Sequence, residues 1–430
     1  MTPSARISAA IEILADIAER HRPAADSLKD WGLGHRFAGS KDRASIASHV
    51  YDALRVRASA AWIMGVETPR AIVLGSLRQM RNLNVDEIAA LCTGETHAPY
   101  KLTEEEESRL RDTSLENAPD HVRGDYPEWL AEHFAAAFGD QAVAEGRALA
   151  DRAPVDLRVN RIKGDRDKSI KMLAHLEPEP TPLSPLGLRL KTSADGRGPS
   201  LSAEAAYTRG FVEIQDEGSQ LASLIAGAKP GMQVLDLCAG GGGKTLALAA
   251  EMDNKGQIYA TDSDGRRLMP IYARLDRANV RNVQVRAPKG TTDVLADCVK
   301  RCDLVLVDAP CTGTGTWRRN PDAKWRTRPG ALTQRQSEQD EVLARAEKYV
   351  KPGGVLAYVT CSLLRVENED RIDTFLSAHA DFLPLDAAHI ARRAGLPELA
   401  EHASPHGAGL RLSPRTSGTD GFYIALLLRS

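Results

Sequence analysis

The stretch Val234-Leu-Asp-Leu-Cys-Ala-Gly-Gly-Gly-Gly-Lys-Thr245 decides the fold. It runs out of an apolar strand, through four consecutive glycines, and into the apolar helix Leu246–Met252. Glycines at a strand-to-helix turn leave bare backbone amides at a helix N-terminus, which is where nucleotides are held. Two nucleotide folds compete for this pattern. A phosphate-binding loop needs a glycine six residues before Lys244, and Cys238 stands there, so the Gly-x-x-x-x-Gly-Lys-[Ser/Thr] register fails. The acid-tipped strand Leu304-Val-Leu-Val-Asp308 keeps an NTPase as the rival reading. In the other fold, a cofactor without a tight polyphosphate lies along the loop and an acid at the end of the second strand takes its ribose hydroxyls. Asp262, in Tyr259-Ala-Thr-Asp262, occupies that place within the expected ~20-residue offset. A carboxylate suits the task because it accepts two hydroxyl hydrogen bonds at once. The alternative for Asp262 is an ordinary helix cap.

Outward from this loop, from about Gln215 onward, the pattern is strand, helix, strand. Apolar strands are readable at Gln233–Leu237, Gln257–Ala260, Val283–Val285, Leu304–Val307, Gly354–Val359 and Phe422–Leu428. Strands alternating with helices predict the α/β class, with a doubly wound, Rossmann-like sheet. Upstream, residues 5–115 carry apolar positions at three- and four-residue steps, as at Ile7, Ile11, Leu14 and Ile17, and again over Ile46–Leu54 and Ile72–Met80. That periodicity predicts an all-helical unit. Its arginines Arg43, Arg55, Arg57, Arg78 and Arg81 fall on polar faces, as a solvated surface or as an RNA contact. The acidic run Thr103–Ser108 and the turns near Asn117 and Tyr126 predict a linker, followed by a helix from Trp129 to about Ala150. The strand Leu157–Asn160, a helix over 167–176 and the proline-rich 178–185 predict a small α+β module. The expected division is 1–122 helical, 123–213 linker helix and small module, and 214–430 glycine-loop sheet.

Composition bounds the function. With 430 residues, 42% hydrophobic and 27% charged, the chain is an ordinary globular one of two to four domains and not a disordered or collagen-like polymer. No apolar run approaches the ~18 residues needed to span a bilayer, and Met1-Thr-Pro-Ser-Ala-Arg shows no secretory pattern. A cytoplasmic protein with no membrane partner is expected. Six cysteines are too few for a disulfide scaffold, and Cys298 and Cys302 lack a partner pair at zinc spacing, so no metal is expected. The net charge of -2 argues against a nucleic-acid partner only as an average, because Glu104–Glu107 offsets the basic segment Arg318–Arg328.

Two further cysteines fall just past strands: Cys311 in Asp308-Ala-Pro-Cys-Thr-Gly-Thr-Gly-Thr, and Cys361 in Val359-Thr-Cys-Ser-Leu-Leu. The C-terminal strand ends of an open parallel sheet form its ligand crevice, so both thiols should face each other in one site. The bland alternative, two buried fillers, fits poorly beside an aspartate and glycine-threonine turns.

Asp308-Ala-Pro-Cys, then Arg318-Arg-Asn-Pro-Asp-Ala-Lys-Trp325, Thr360-Cys-Ser-Leu-Leu-Arg-Val-Glu-Asn-Glu369 and Asp420-Gly-Phe-Tyr423 together resemble the RsmB/NSUN family of RNA cytosine-5 methyltransferases. The helical N-terminus resembles the antitermination factor NusB, through Asp42-Arg43 and Val50-Tyr-Asp-Ala-Leu-Arg55. The resemblance implies methylation of cytosine C5 in small-subunit (16S) ribosomal RNA, with S-adenosylmethionine as cofactor and a monomeric enzyme. A transfer RNA substrate, or a non-catalytic RNA-binding or assembly factor, are the alternatives. It also implies roles: Cys361 attacks C6, and Cys311 acts in release as base or base-assisting group. Asp308 binds the N3/N4 edge or the methionine side of the cofactor, and Lys244 supports the thiolate or contacts the cofactor. Cys238, Ala239, Gly240, Gly241, Gly242, Gly243 and Lys244 become the cofactor loop and Asp262 the ribose partner. Two departures stand out. The family's Ala-Pro is Gly240-Gly241 here, and its Gly-Asp after the third strand, a contact to the cofactor base, is replaced by Arg286-Ala-Pro-Lys-Gly290. Finally, Trp317–Arg328 mixes two indoles with five cations, so Arg318, Arg319, Lys324 and Trp325 are expected RNA contacts.

Overall fold

A computed structural model describes residues 1–191, 198–290 and 292–430. The chain forms two compact units: Met1–Ala153 with Trp317–Pro329, and the described residues of 154–192, 198–316 and 330–430.

The first unit is helical. Helices Pro3–Arg20, Ser40–Arg55, Arg57–Met64 and Pro69–Arg81 enclose its core. Their ends follow local chemistry. The hydroxyls of Thr2 and Thr68 accept the Ala5 and Ala71 N–H groups, a proline follows each, and the chain leaves at His21 and Asn82 in the left-handed region, φ 51 and 54. Ile7, Ile13, Leu14, Leu74 and Leu77 are buried along the facing stripes, each contributing about 1.5–3 kcal/mol. The acidic run is not a linker. Thr103 and Glu106 form a reciprocal capping box that starts the helix Glu104–Asp112, a signal present in the sequence as Thr-x-x-Glu. The helix expected over 129–150 breaks at Gly139, φ 52, into Ala131–Phe138 and Ala142–Ala150. Phe134 stacks between Tyr126 and Trp317, at centroid distances of 4.2 and 5.8 Å, which places these helices in the first unit.

Two cations of the basic segment, Arg318 and Lys324, are turned inward, whereas Arg326 and Arg328 are exposed. Lys324 is fully buried, and its ammonium donates to the carbonyls of Arg55 and Asp125, each at 2.7 Å. The Trp325 indole N–H donates to Leu54 O at 2.6 Å. Leu54 and Arg55 end the helix Ser40–Arg55, so these donors satisfy C-terminal carbonyls that have no partner within the helix. Arg318 is buried as well, and its carbonyl accepts from Arg55 at 2.7 Å. The expectation that Lys324 and Arg318 face RNA is therefore corrected, because both are buried, Lys324 capping a helix and Arg318 lying under the Arg55 guanidinium. Arg319 and Trp325 are half-buried. The five arginines read on polar faces also reach acceptors of their own unit. Arg43 donates to Ala38 O, Arg55 to Asp151 O, Arg57 to Glu67, Arg78 to Thr113 O and Arg81 to Asp52.

The second unit holds two sheets. The smaller, in order β2-β3-β1-β4, consists of β1 (Val155–Val159), β2 (Glu179–Pro180), β3 (Gly187–Leu190) and β4 (Val212–Ile214), all antiparallel. The larger has eight strands among the described residues: β5 (Gln233–Asp236), β6 (Gln257–Ala260), β7 (Val283–Val285), β8 (Cys302–Asp308), β9 (Val350–Thr360), β10 (Phe382–Pro384), β11 (Leu410–Leu412) and β12 (Phe422–Arg429). Its order is β10-β12-β9-β8-β5-β6-β7, with β11 beside β12. β5 to β9 pair in parallel, whereas β12 runs antiparallel to β9, so the sheet is mixed. Continuous apolar runs such as Leu304–Val307 are buried on both faces, as a sheet covered on both sides requires. The chain proceeds from β5 to β6 and β7 on one side, then returns to β8 and β9 on the other. The crevice therefore opens at the C-terminal ends of β5 and β8.

Candidate active site

The chemistry-bearing residues of the second unit converge on this crevice. After β5 the chain turns tightly: Ala239 N–H donates to Thr261 O and Gly242 N–H to Ala239 O, both at 2.8 Å. Gly242 has φ 81, and a Cβ there would lie 2.4 Å from Ile271, so only glycine fits. The helix Gly243–Glu251 starts at once, with Lys244 in its first turn.

Asp262, two residues past β6, is buried. Its carboxylate accepts the Gly240 N–H at 3.0 Å, the Asp264 N–H at 3.1 Å and the Arg267 guanidinium at 3.3 Å. It lines a cleft of about 310 Å³ together with Leu237, Cys238, Pro310, Val342 and Arg345. That volume lies at the small end of ligand pockets. Burial pushes the Cys238 thiol far above its ordinary value, so it serves as wall and not as nucleophile. Asp236 ends β5. One carboxylate oxygen takes the Thr245 hydroxyl at 2.7 Å, the other is buried without a hydrogen-bond partner, and burial pushes its pKa up to about 7.

Lys244 is buried, and its ammonium meets the Asp308 carboxylate at 2.7 Å over the Phe422 ring, 5.2 Å from the centroid. Its charge is thus directed at Asp308, where the sequence left it between thiolate support and a cofactor contact. Cys311, three residues past β8, and Cys361, immediately past β9, place their sulfurs 3.4 Å apart. The hydrogen bond to Cys361, then burial and the charges of Cys361 and Glu367, push the Cys311 thiol well above its ordinary value.

Several residues that hold this arrangement escaped the sequence reading. Glu367 is fully buried, and its carboxylate accepts the Thr312 N–H at 2.8 Å and the Gln339 amide at 3.1 Å, together with the hydroxyls of Thr312 and Ser362. Thr312 follows Cys311 and Ser362 follows Cys361, so one carboxylate grips both thiol loops. Asn368 accepts the Thr360 hydroxyl at 2.6 Å and donates to Ser362 O at 2.9 Å. Gly315 N–H donates to Cys361 O at 2.9 Å while its carbonyl accepts the Gly421 N–H at 2.8 Å. A Cβ on Gly315 would sit 2.2 Å from Gly421 O. The signal for these residues was present in the motifs around Cys361 and Asp420, which identify the segments but not their contacts. Arg286, in the segment that replaces Gly-Asp, spends its guanidinium on Asp297 and over the Tyr259 ring, 4.2 Å from the centroid.

The family profile described as 16S rRNA methyltransferase RsmB/F matches residues 224–428, and that of the RsmF/B-like ferredoxin-like domain matches residues 126–196. Over 315 residues the chain is 31% identical to the probable ribosomal RNA small subunit methyltransferase B of Synechocystis sp., covering 71% of this chain and 67% of that protein. The chain belongs to the RsmB/F methyltransferase family. The ribosomal RNA small subunit methyltransferase B of Salmonella paratyphi B is 33% identical over 327 residues, 75% of this chain and 70% of the relative. Among solved structures, PH0851 aligns over 99% of both chains with a TM-score of 0.72 and 26% identity. A methyltransferase homologue from Pyrococcus horikoshii aligns over 72% of this chain and 98% of its own, with a TM-score of 0.58 and 26% identity. The fold of NSun6 from Pyrococcus horikoshii, solved with SFG, is also similar, with a TM-score of 0.59 at 23% identity over 71% of this chain and 98% of that one. Membership makes this an S-adenosylmethionine-dependent RNA methyltransferase. No helix among the described residues is long and apolar enough to cross a membrane.

The site fits that cofactor. The orphan oxygen of Asp236 is an acceptor lacking a donor, which an ammonium group supplies, and Asp262 has the acceptor chemistry for ribose hydroxyls at the end of the second strand. Bound S-adenosylmethionine supplies an electrophilic methyl group.

Proposed function

We propose that the protein methylates C5 of cytosine in small-subunit (16S) ribosomal RNA through a covalent bond between Cys361 and C6. The observation that carries this reading is the pair of thiols at two neighbouring strand ends, 3.4 Å between sulfurs. Cytosine C5 is too electron-poor to accept a methyl cation equivalent unaided. A thiolate adding to C6 makes C5 an enamine carbon.

The Cys361 thiolate forms the C6–S bond while N3 takes a proton from solvent. Asp308, oriented by Lys244, accepts hydrogen bonds from the protonated N3 and the N4 amino group. C5 then takes the methyl group and S-adenosylhomocysteine leaves. With Cys361 now bonded to carbon, neither its hydrogen bond nor its charge raises the Cys311 pKa. Cys311 releases its proton to solvent and takes the proton on C5. The C6–S bond breaks, returning the electron pair to Cys361, and N3 gives up its proton. One proton is released per turnover. A base inside a hairpin must be unstacked first, at a cost of a few kcal/mol. The N-terminal unit and the small sheet module are assigned to finding and holding that RNA.

Bisulfite sequencing of ribosomal and transfer RNA from a deletion strain tests the reading. A single unprotected cytosine in 16S RNA is the expected result. Loss confined to transfer RNA moves the substrate, and no loss in any RNA overturns catalysis.

A further inference from the structure

The cofactor loop of this chain lacks the proline that its family resemblance leads one to expect, and two adjacent glycines leave its backbone unrestrained by local sterics. The structure nevertheless holds each part of the loop with a side chain from elsewhere. Asp262 takes the Gly240 N–H at 3.0 Å, and the Arg274 guanidinium donates to Gly241 O at 2.7 Å. Arg158 on β1, itself buried, donates to Gly243 O at 2.9 Å. Arg274 lies on the helix Met269–Ala278, and its other terminal nitrogen pairs with the buried Glu213 of β4 at 3.1 Å. Glu213 in turn takes Arg277 at 2.5 Å. A Cβ built on Gly241 would lie 3.4 Å from the Arg274 guanidinium, so the arginine stands beside the space a side chain at 241 would fill.

We propose that Arg274, backed by Glu213, is a positioning residue for the cofactor loop, restraining from outside what a proline at 241 restrains from within. Loop order before binding is free energy that the cofactor does not have to supply. Gly241 is outside the left-handed region, and among the described residues its N–H donates to no backbone carbonyl, so a proline there breaks no backbone hydrogen bond. The inference rests on S-adenosylmethionine as cofactor and is independent of the cytosine reading, because its test contains no RNA.

The test is calorimetric titration of the full chain with S-adenosylhomocysteine. Arg274→Ala weakens binding by about tenfold, the scale of one hydrogen bond from a charged group. Adding Gly241→Pro to Arg274→Ala recovers most of that loss. Glu213→Gln, which frees Arg274 without touching the loop, weakens binding in the same direction and carries the test where Arg274→Ala does not fold. Wild-type affinity in Arg274→Ala, or in Glu213→Gln, overturns the proposal. So does a double variant that melts like wild type yet binds as weakly as Arg274→Ala.

Discussion

The sulfur atoms of Cys311 and Cys361 lie 3.4 Å apart although fifty positions separate them in the chain. Their loops follow neighbouring parallel strands, β8 and β9. The hydrogen bond with Cys361, burial and the charges of Cys361 and Glu367 push the Cys311 thiol above its ordinary value. In the proposed mechanism Cys361 is the attacking sulfur and Cys311 becomes a base after attack, so that one loop serves formation of the adduct and the other its resolution.

Cys361→Ala is expected to abolish methyl transfer. Cys311→Ala leaves addition and methylation possible but slows release by about 10²–10⁴-fold, the usual contribution of general base catalysis. Denaturing gels with labelled RNA read the difference: a covalent protein–RNA band persists for Cys311→Ala and is missing for Cys361→Ala. Wild-type turnover by Cys361→Ala would falsify the mechanism.

Glu367→Gln removes the negative charge near Cys311 and places an amide N–H against hydroxyl donors of Thr312 or Ser362. Turnover falls by about 10²-fold, as expected when reacting groups shift by about 1 Å. The Cys311 thiol also titrates at lower pH, because a charge that raised its pKa has gone. Mass-spectrometric alkylation of Cys311 across a pH series measures this directly. An unchanged profile leaves Glu367 as packing alone.

Lys324 and Asp125 are buried together: burial pushes the lysine pKa down and the aspartate pKa up, while the charge of each opposes the shift of the other. Lys324→Met removes the donor to two carbonyls and leaves Asp125 without its cation. A loss of about 3–5 kcal/mol is expected in urea unfolding, typical of a broken buried pair. A loss below about 1 kcal/mol would mean that the segment is held without it.

Burial, followed by Arg81, Arg6 and Arg152, pushes the His49 pKa from 6.5 to about 3. The unfolded chain therefore takes this proton first as pH falls. The contribution of neutral His49 to stability is complete above pH 6.5 and is lost as pH falls toward 3, with a slope of about 1.4 kcal/mol per pH unit. Chemical unfolding between pH 7 and 4.5 should show His49→Gln with a flatter dependence than wild type. Parallel curves would exclude His49 as the source.

Much of the fold was legible because its signals are local. The apolar strands, the glycine turn after Leu237, the acid Asp262 and the cysteines just past β8 and β9 follow from period, run length and residue chemistry within a few positions. The capping box at Thr103 is equally local, a Thr-x-x-Glu pattern inside the acidic run. Which side chains meet was decided only by tertiary structure. Lys324 reads as a surface cation by composition, yet it caps a helix whose end lies 269 positions away, at Arg55. Glu367 and Arg274 read as ordinary charges, and only the folded sheet places one on both thiol loops and the other on the cofactor loop. The sequence by itself determined the sheet, its glycine loop and the placement of Cys311 and Cys361 at two strand ends. The spacing of the two thiols, and the inward turn of Arg318 and Lys324, depend on partners distant in sequence. Burial makes an unpaired charge or carbonyl costly, and only the tertiary structure sets which partner is in reach.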